Sequence, residues 1–456
     1  MKQIGLYIER QRAWGRCVCE GIAAYAQDHP DWTLHMLEVG DLAKPKTMRS
    51  FDGFIARIPD ARTAARFRRT RKPVADMTNE GFKADNFLAG VQHDNLAIGQ
   101  IAARHYLEHR FANFAFCGYE GIRFSRERRD SYRRCLMLNR YPCAVYESVY
   151  DNDARATLSD RIEAGKDAAA LVRWLLTLPR PCAVFCVNDI RCYQVVKACH
   201  SACLQVPRDL ALLGVDNDTL VCNFVSPMLS SIDPDAFQVG RATAERLDRC
   251  LDGARLPSYG RIPRVSPREL VVRASSQTFP VNPEWLSDAL VFIRRNYHRH
   301  LTASAVYAYL NRSHTRIDAA FRAQLGTTVQ QEIRRVSLAE AERLLRLTEL
   351  SVAEIANRTG FASQQYFCNV FVSAYGLSPS SWRKEKGAGM PWWASWSARS
   401  VSPPGSSPCR KSSLPACACR HLTRPGPTSS SGTATPPASI PPLPSKPRSG
   451  VLHEFK

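Results

Sequence analysis

The sequence predicts two folded domains of different class. Residues 1–272 read as an α/β domain built on parallel sheets, and residues 284–386 as an all-α domain holding two helix-turn-helix units. A linker at 273–283 joins them, and a tail at 387–456 follows. Three observations carry this. Apolar runs of strand length alternate with helical stretches through the first part. The second part repeats one pattern of cap, helix, turn and helix. Beyond Lys386 the chain turns rich in Pro, Ser and Gly and loses any amphipathic period.

In the first domain KQIGLYIE is a short apolar strand, and the helix after it, opened by Gly15, sets Val18, Ile22 and Tyr25 at helical spacing. FDGFIARI, PVADMT, FANFAFCGY, CAVFCVNDI and LALLGVDN are further apolar runs, separated by stretches such as NLAIGQIAARHYLEH and IRCYQVVKACHSACL. Strands and helices in alternation imply parallel sheets covered by helices, in which ligands bind beyond the carboxyl ends of the strands. Polar residues stand at those ends: Asn188 and Asp189 after CAVFCV, Asp216 and Asn217 after LALLGV. Capping of a strand end is the alternative role for both aspartates.

In the second domain LTASAVYAYLNRSHTRIDAAFRAQLG places a short helix through Val306 and Leu310, a turn at Asn311, Ser313 as a cap, and a helix burying Ile317, Ala320, Phe321 and Leu325. The stretch TTVQQEIRRVSLAEAERLLRLTEL is strongly helical, with Val336, Ala339, Leu344 and Leu347 placed to pack against both neighbours. In LSVAEIANRTGFASQQYFCNVFVSAYGLSPSSWR, Ser351 caps a first helix, Gly360 ends it in the left-handed region, and Ser363 caps a second with Phe367, Val370 and Phe371 inward. Thr315, Arg316, Asp318 and Arg322 on the first unit, and Gln364, Gln365 and Asn369 on the second, are the candidate DNA contacts. Gln and Asn pair bidentately with adenine, whereas Arg316 and Arg322 suit phosphates. A helical hairpin in an ordinary bundle would show the same periodicity.

The span from about Glu284 to Arg383 resembles the DNA-binding domain of AraC/XylS-type transcription regulators. The resemblance rests on Ser313, Phe321 and Gly326, on Arg343 to Leu345, and on Ile355, Ala356, Gly360, Phe361, Phe367, Phe371, Gly376, Pro379 and Arg383. Ala319 and Val372 depart from it, standing where basic residues are usual. Residues 1–272 resemble the ligand-sensing core of LacI/GalR regulators, which is similar to periplasmic binding proteins. HDNLAIGQIAARHYLEHRFANFAFCG, VFCVNDIRCYQVVKAC, VPRDLALLGVDND and SPMLSSIDPDAFQVGRATAERL carry that likeness.

Such a sensor joined to such a reader is the arrangement of bacterial xylose operon regulators. The resemblance implies a two-lobed sensor, a small sugar such as a pentose bound between the lobes, a homodimer, and operator DNA as partner, with RNA polymerase added if the protein activates. By position it assigns Trp14, Arg16, Arg126, Asp189, Asp216 and Asn217 to ligand binding. Gly15 stands where xylose-responsive members carry an Asp.

Composition agrees. A formal net charge of +20 over 456 residues favours polyanionic partners. The sequence lacks the GxSxG, P-loop, HExxH and dinucleotide fingerprints of common enzymes, so neither a catalytic residue nor a cofactor is expected. Sixteen cysteines are scattered without a CxxC pair, which predicts buried reduced thiols rather than a metal site; Cys199, His200 and Cys203 form the one cluster to watch. Glu9 and Arg10 interrupt the first apolar run, unlike a secretory signal, and no run of about eighteen apolar residues occurs. A cytoplasmic protein with no membrane partner is expected, with residues 387–456 disordered or serving as a basic DNA-contacting tail.

Overall fold

The computed structural model describes residues 1–78, 85–149, 167–254 and 262–386. The expectation for the tail at 387–456 falls outside them.

The first sheet has the order β2-β1-β3-β4-β5, all parallel, from β1 (Lys2–Tyr7), β2 (Trp32–Met36), β3 (Gly53–Ala56), β4 (Val74–Asp76) and β5 (Phe87–Ala89). The second has the order β13-β11-β10-β9-β7-β8. It is built from β7 (Asn113–Glu120), β8 (Ala144–Val149), β9 (Cys182–Cys186), β10 (Leu210–Val215), β11 (Ser230–Asp233) and β13 (Glu269–Val271), and only β13 runs antiparallel. Between them lies a two-stranded pair of β6 (Gln92–His93) with β12 (Arg264–Val265). All residues of β3, β9 and β10 are buried, which is why they read as unbroken apolar runs: helices cover both faces.

Helices α1 (Ala13–Asp28), α2 (Pro45–Arg49) and α3 (Ala61–Thr70) belong to the first lobe. α4 (Asn95–Glu108), α5 (Arg123–Leu138), α6 (Ala168–Thr177), α7 (Asp189–Ser201) and α8 (Thr219–Asn223) belong to the second. α9 (Ala236–Leu251) returns to the first lobe, where Val239, Ala244 and Leu247 share a core with Val18 and Ile22 of α1. The first helix begins at Ala13, two residues before the expected Gly15.

Residues 273–283, expected as a linker, are docked instead. Ser275 Oγ donates to the Leu212 carbonyl at 2.7 Å, Ser276 Oγ donates to Ser230 Oγ at 2.7 Å, and Phe279 is buried. Hydroxyls in this segment satisfy polar groups of β10 and β11, and that pairing holds the connection in place.

The all-α part comprises α10 (Glu284–Asn296), α11 (Ala303–Leu310), α12 (His314–Leu325), α13 (Val329–Leu347), α14 (Val352–Arg358), α15 (Gln364–Tyr375) and α16 (Pro379–Lys386). Its apolar interior divides along α13. Val329, Ile333 and Val336 pack with Val306, Ile317 and Phe321 of the first unit. Leu338, Ala341, Leu344 and Leu345 pack with Ile355, Phe367, Phe371 and Trp382 of the second. One helix thus serves two small cores.

Thirteen cysteines lie among the described residues, all free, and Cys117, Cys182, Cys186, Cys192, Cys199 and Cys222 are buried in the α/β part. Cys199 packs inward while His200 and Cys203 are exposed, so that cluster does not converge. Among the described residues no helix is long and apolar enough to cross a membrane.

Candidate functional site

Six strands deliver their carboxyl ends to one cleft between the lobes. β1 leads to Arg12 and Trp14, β3 to Arg57, β4 to Met77 and Thr78, β7 to Ile122, Arg123 and Phe124, β9 to Asn188, and β10 to Asp216. The crossing segment adds Gln92, His93 and Asn95. The cavity holds about 220 Å³, below the roughly 300–1,000 Å³ of drug-sized sites and suited to a monosaccharide.

Trp14 is held from two sides. Its Nε1 donates to His93 Nε2 at 2.6 Å, while His93 Nδ1 lies 2.8 Å from the Pro234 carbonyl. Both bonds are satisfied by the neutral ring protonated at Nδ1, and burial, with Arg128 adding to it, pushes the imidazole down to about 3. The Arg57 guanidinium lies 5.6 Å from the Trp14 ring. This fixes an aromatic face in the cleft, the surface on which a sugar ring stacks.

Asp216 is the carboxylate lining this space, at a backbone φ of 108°. Burial raises it to about 6, against the pull of Arg128, Arg12 and Arg57. Arg128 is 3% exposed and donates from Nε to Asn95 Oδ1 at 2.9 Å and from Nη1 to the Val187 carbonyl at 2.6 Å.

Of the residues expected here, Trp14 and Asp216 line the cavity. Four do not. Asp189 is buried behind it, accepting from Ser231 Oγ at 2.6 Å and from the Asp218 N–H at 2.9 Å. It ties the turn after β10 to strand β11, the structural alternative. Asn217 Oδ1 accepts from Arg273 Nη2 at 2.8 Å. Arg126 is exposed on α5, because the inward positions of that helix fall to Ser125 and Arg128. Arg16 is partly exposed on α1 and donates to the carbonyls of Arg10 and Gln11 at 3.3 and 3.1 Å.

Arg12, Arg57, Gln92, His93, Arg123 and Arg128 line the cavity without having been expected there, and Asn188, noted at the end of its strand, lines it too. Arg128 stands two positions from Arg126 on α5, and each residue along a helix turns the side chain by about 100°. A side chain at Gly15 has no room: a Cβ there would lie 1.6 Å from the Glu9 carbonyl oxygen.

The second candidate surface lies on the helix-turn-helix units. Asn311, at φ 46°, makes the first turn, and Ser313 is the N-cap of α12, although its hydroxyl makes no capping bond. Thr315, Arg316 and Arg322 are exposed. Asp318 turns toward α11, where it accepts from Tyr307 OH at 2.9 Å, so it is a brace rather than a DNA-facing group. In the second unit Ser351 and Glu354 form a reciprocal capping box, and Ser363 Oγ accepts from the Tyr366 N–H at 3.2 Å. Gln364, Gln365 and Asn369 are exposed on α15 while Phe367 and Phe371 are buried. Arg334 Nη2 donates to Tyr366 OH at 3.0 Å, tying α15 to α13.

Comparison with known proteins follows this division. A periplasmic binding protein-like domain matches residues 103–276, and a helix-turn-helix domain matches residues 306–385. It is similar to the xylose operon regulatory protein of Haemophilus influenzae, at 26% identity over 84% of this chain and 98% of that protein. The Escherichia coli protein of that name is also 26% identical, over 84% and 96%. The HTH-type transcriptional activator RhaR of Cronobacter sakazakii is 41% identical over 68 residues, 15% of this chain and 24% of that one. Among solved structures, the xylose-binding transcription activator xylR is 25% identical, with a TM-score of 0.49, over 84% of this chain and 97% of that one.

Proposed function

We propose that this protein is a cytoplasmic, sequence-specific DNA-binding transcription regulator whose operator binding is controlled by a pentose-sized sugar in the cleft of its N-terminal domain. The observation that carries the reading is one chain in which Trp14, Asp216 and Arg128 line a monosaccharide-sized cleft while exposed Gln365 and Asn369 stand on the second helix of a helix-turn-helix. The similarity to xylose operon regulatory proteins along most of both chains supports it. An enzyme would need a nucleophile or a paired acid and base. The titratable groups lining the cleft are four arginines, one neutral histidine and one carboxylate, a set that binds rather than cleaves.

Two recognition helices on one chain suit successive major-groove faces, roughly 34 Å apart, and a homodimer would double the contact. Ligand changes operator affinity only by as much as it prefers one arrangement of the protein over another, typically about 1–3 kcal/mol, or roughly 5- to 150-fold. The test is fluorescence anisotropy of the purified chain on its own upstream DNA, with and without a panel of pentoses and their derivatives. No preference for that DNA over random sequence would reject the regulator reading, and unchanged affinity across the panel would reject the sugar control.

A further inference from the structure

Hydrogen-bonding capacity in the cleft is unevenly divided. Four guanidinium groups line it, on Arg12, Arg57, Arg123 and Arg128, against the single carboxylate of Asp216. Glu9, behind the wall, lies 2.9 Å from Arg57 and 3.3 Å from Arg12, and Glu127 lies 3.1 Å from Arg123. Arg128 differs. It is buried, spends Nε and Nη1 on neutral carbonyl oxygens, and forms no ion pair among the described residues. Asp216 offsets its charge without a direct contact, so a negative group on a ligand would be its first direct ion partner.

The neutral polar groups tilt the same way. Both nitrogens of His93 are engaged, and Asn95 accepts from Arg128 at Oδ1 and donates from Nδ2 to Glu127. Asn188 Oδ1 accepts from the Arg191 N–H, which leaves its amide N–H groups as donors. Beside Asp216, the acceptors still open are Gln92 Oε1, which has no partner among the described residues, and the Thr78 hydroxyl oxygen, whose hydrogen goes to Asp76. A neutral sugar brings hydroxyls that donate as readily as they accept and would leave several of these donors unmatched. A carboxylate or phosphate brings acceptors only, and matches guanidinium in charge and planar or bidentate geometry.

We propose that the cleft takes an anionic pentose derivative, a hydroxylated carbon chain ending in a carboxylate or a phosphate, with Arg128 meeting the anionic end and Trp14 the carbon face. This rests on the sugar-responsive reading and narrows it. Xylonate and xylose 5-phosphate share the required chemistry and differ in the anion, so they serve as separate probes.

The experiment is isothermal titration of the full chain with D-xylose, D-xylonate and D-xylose 5-phosphate, each at low and high salt. At least one anion should bind about tenfold or more tighter than xylose and weaken as salt rises. Asp216→Asn, an isosteric change that removes the one negative charge, should tighten the anion roughly tenfold and weaken xylose. Xylose binding as tightly as both anions would overturn the proposal and leave the sugar-responsive reading standing. Failure of both anions to bind would likewise overturn the proposal, whereas the sugar-responsive reading falls only with the wider pentose panel. Tightening of xylose itself in Asp216→Asn would show that Arg128 has no anion to meet.

Discussion

Gly326, Gly360 and Gly376 share one backbone conformation, with φ of 64°, 76° and 75°, and differ in what surrounds them. A Cβ at Gly326 or Gly376 would meet nothing within 4 Å, whereas one at Gly360 would lie 1.9 Å from the Tyr297 carbonyl oxygen. Alanine at either open site should therefore cost only the left-handed penalty, about 1–2 kcal/mol. Gly360→Ala adds an overpacking term of about 1–3 kcal/mol, because backbone rather than a mobile side chain blocks the space. Its total is about 2–5 kcal/mol. Guanidinium unfolding followed by helical circular dichroism measures all three variants. Gly360→Ala should also lose operator affinity, since the turn between α14 and α15 bears on the segment following α10 and sets where the second recognition helix stands. Equal destabilisation by the three alanines would refute the argument, because it would mean that contact with Tyr297 constrains nothing.

Other expectations follow from the same contacts. Asp216, raised from 3.8 to about 6, binds its proton more tightly folded than unfolded. Stability it contributes is present below about pH 4 and is lost as pH rises through about 6, so Asp216→Asn should raise the ligand-free stability at pH 8 by about 2–3 kcal/mol, read as a melting-temperature gain absent at pH 4. Glu108 is pushed up by burial but held down more strongly by Arg104 and Arg294, to about 2. Its stabilisation is present above about 4.5 and is lost as pH falls toward 2. Removing this carboxylate leaves Arg104 and Arg294 without their shared counter-ion, so Glu108→Gln should cost about 3 kcal/mol at pH 7, measured by denaturant unfolding. Arg316→Ala and Arg322→Ala should each lower the slope of log affinity against log salt by about 1 on any DNA. Gln365→Ala, from a helix whose sequence QQYFCNVFVSAY carries no charge, should leave that slope unchanged while costing about 1–3 kcal/mol on the specific site alone.

Strands β1, β3, β4, β7, β9 and β10 and the two helix-turn-helix units were legible in the sequence because each is written locally. An apolar run such as LALLGV can be buried on both faces only as a covered strand, and Ser351, Gly360 and Ser363 mark helix ends by their own backbone chemistry. Asp216 was legible for a related reason, since it follows β10 directly and strand ends converge in this fold, whereas Trp14, already inside α1, was placed only by the resemblance to known regulators. Orientation was not. Asp189 and Asp318 are as polar in sequence as any ligand-binding residue, yet one faces Ser231 and the other Tyr307, partners 42 and 11 residues away that only folding brings near. Arg128 rather than Arg126 enters the cleft because the packing of α5 fixes its rotation, and Arg57 arrives from a strand remote in sequence from Trp14. Periodicity determines which residues share a helix face or a strand end. Which of those residues turn toward a shared space, and whether that space holds more donors than acceptors, depends on contacts between distant segments and was decided by the tertiary structure.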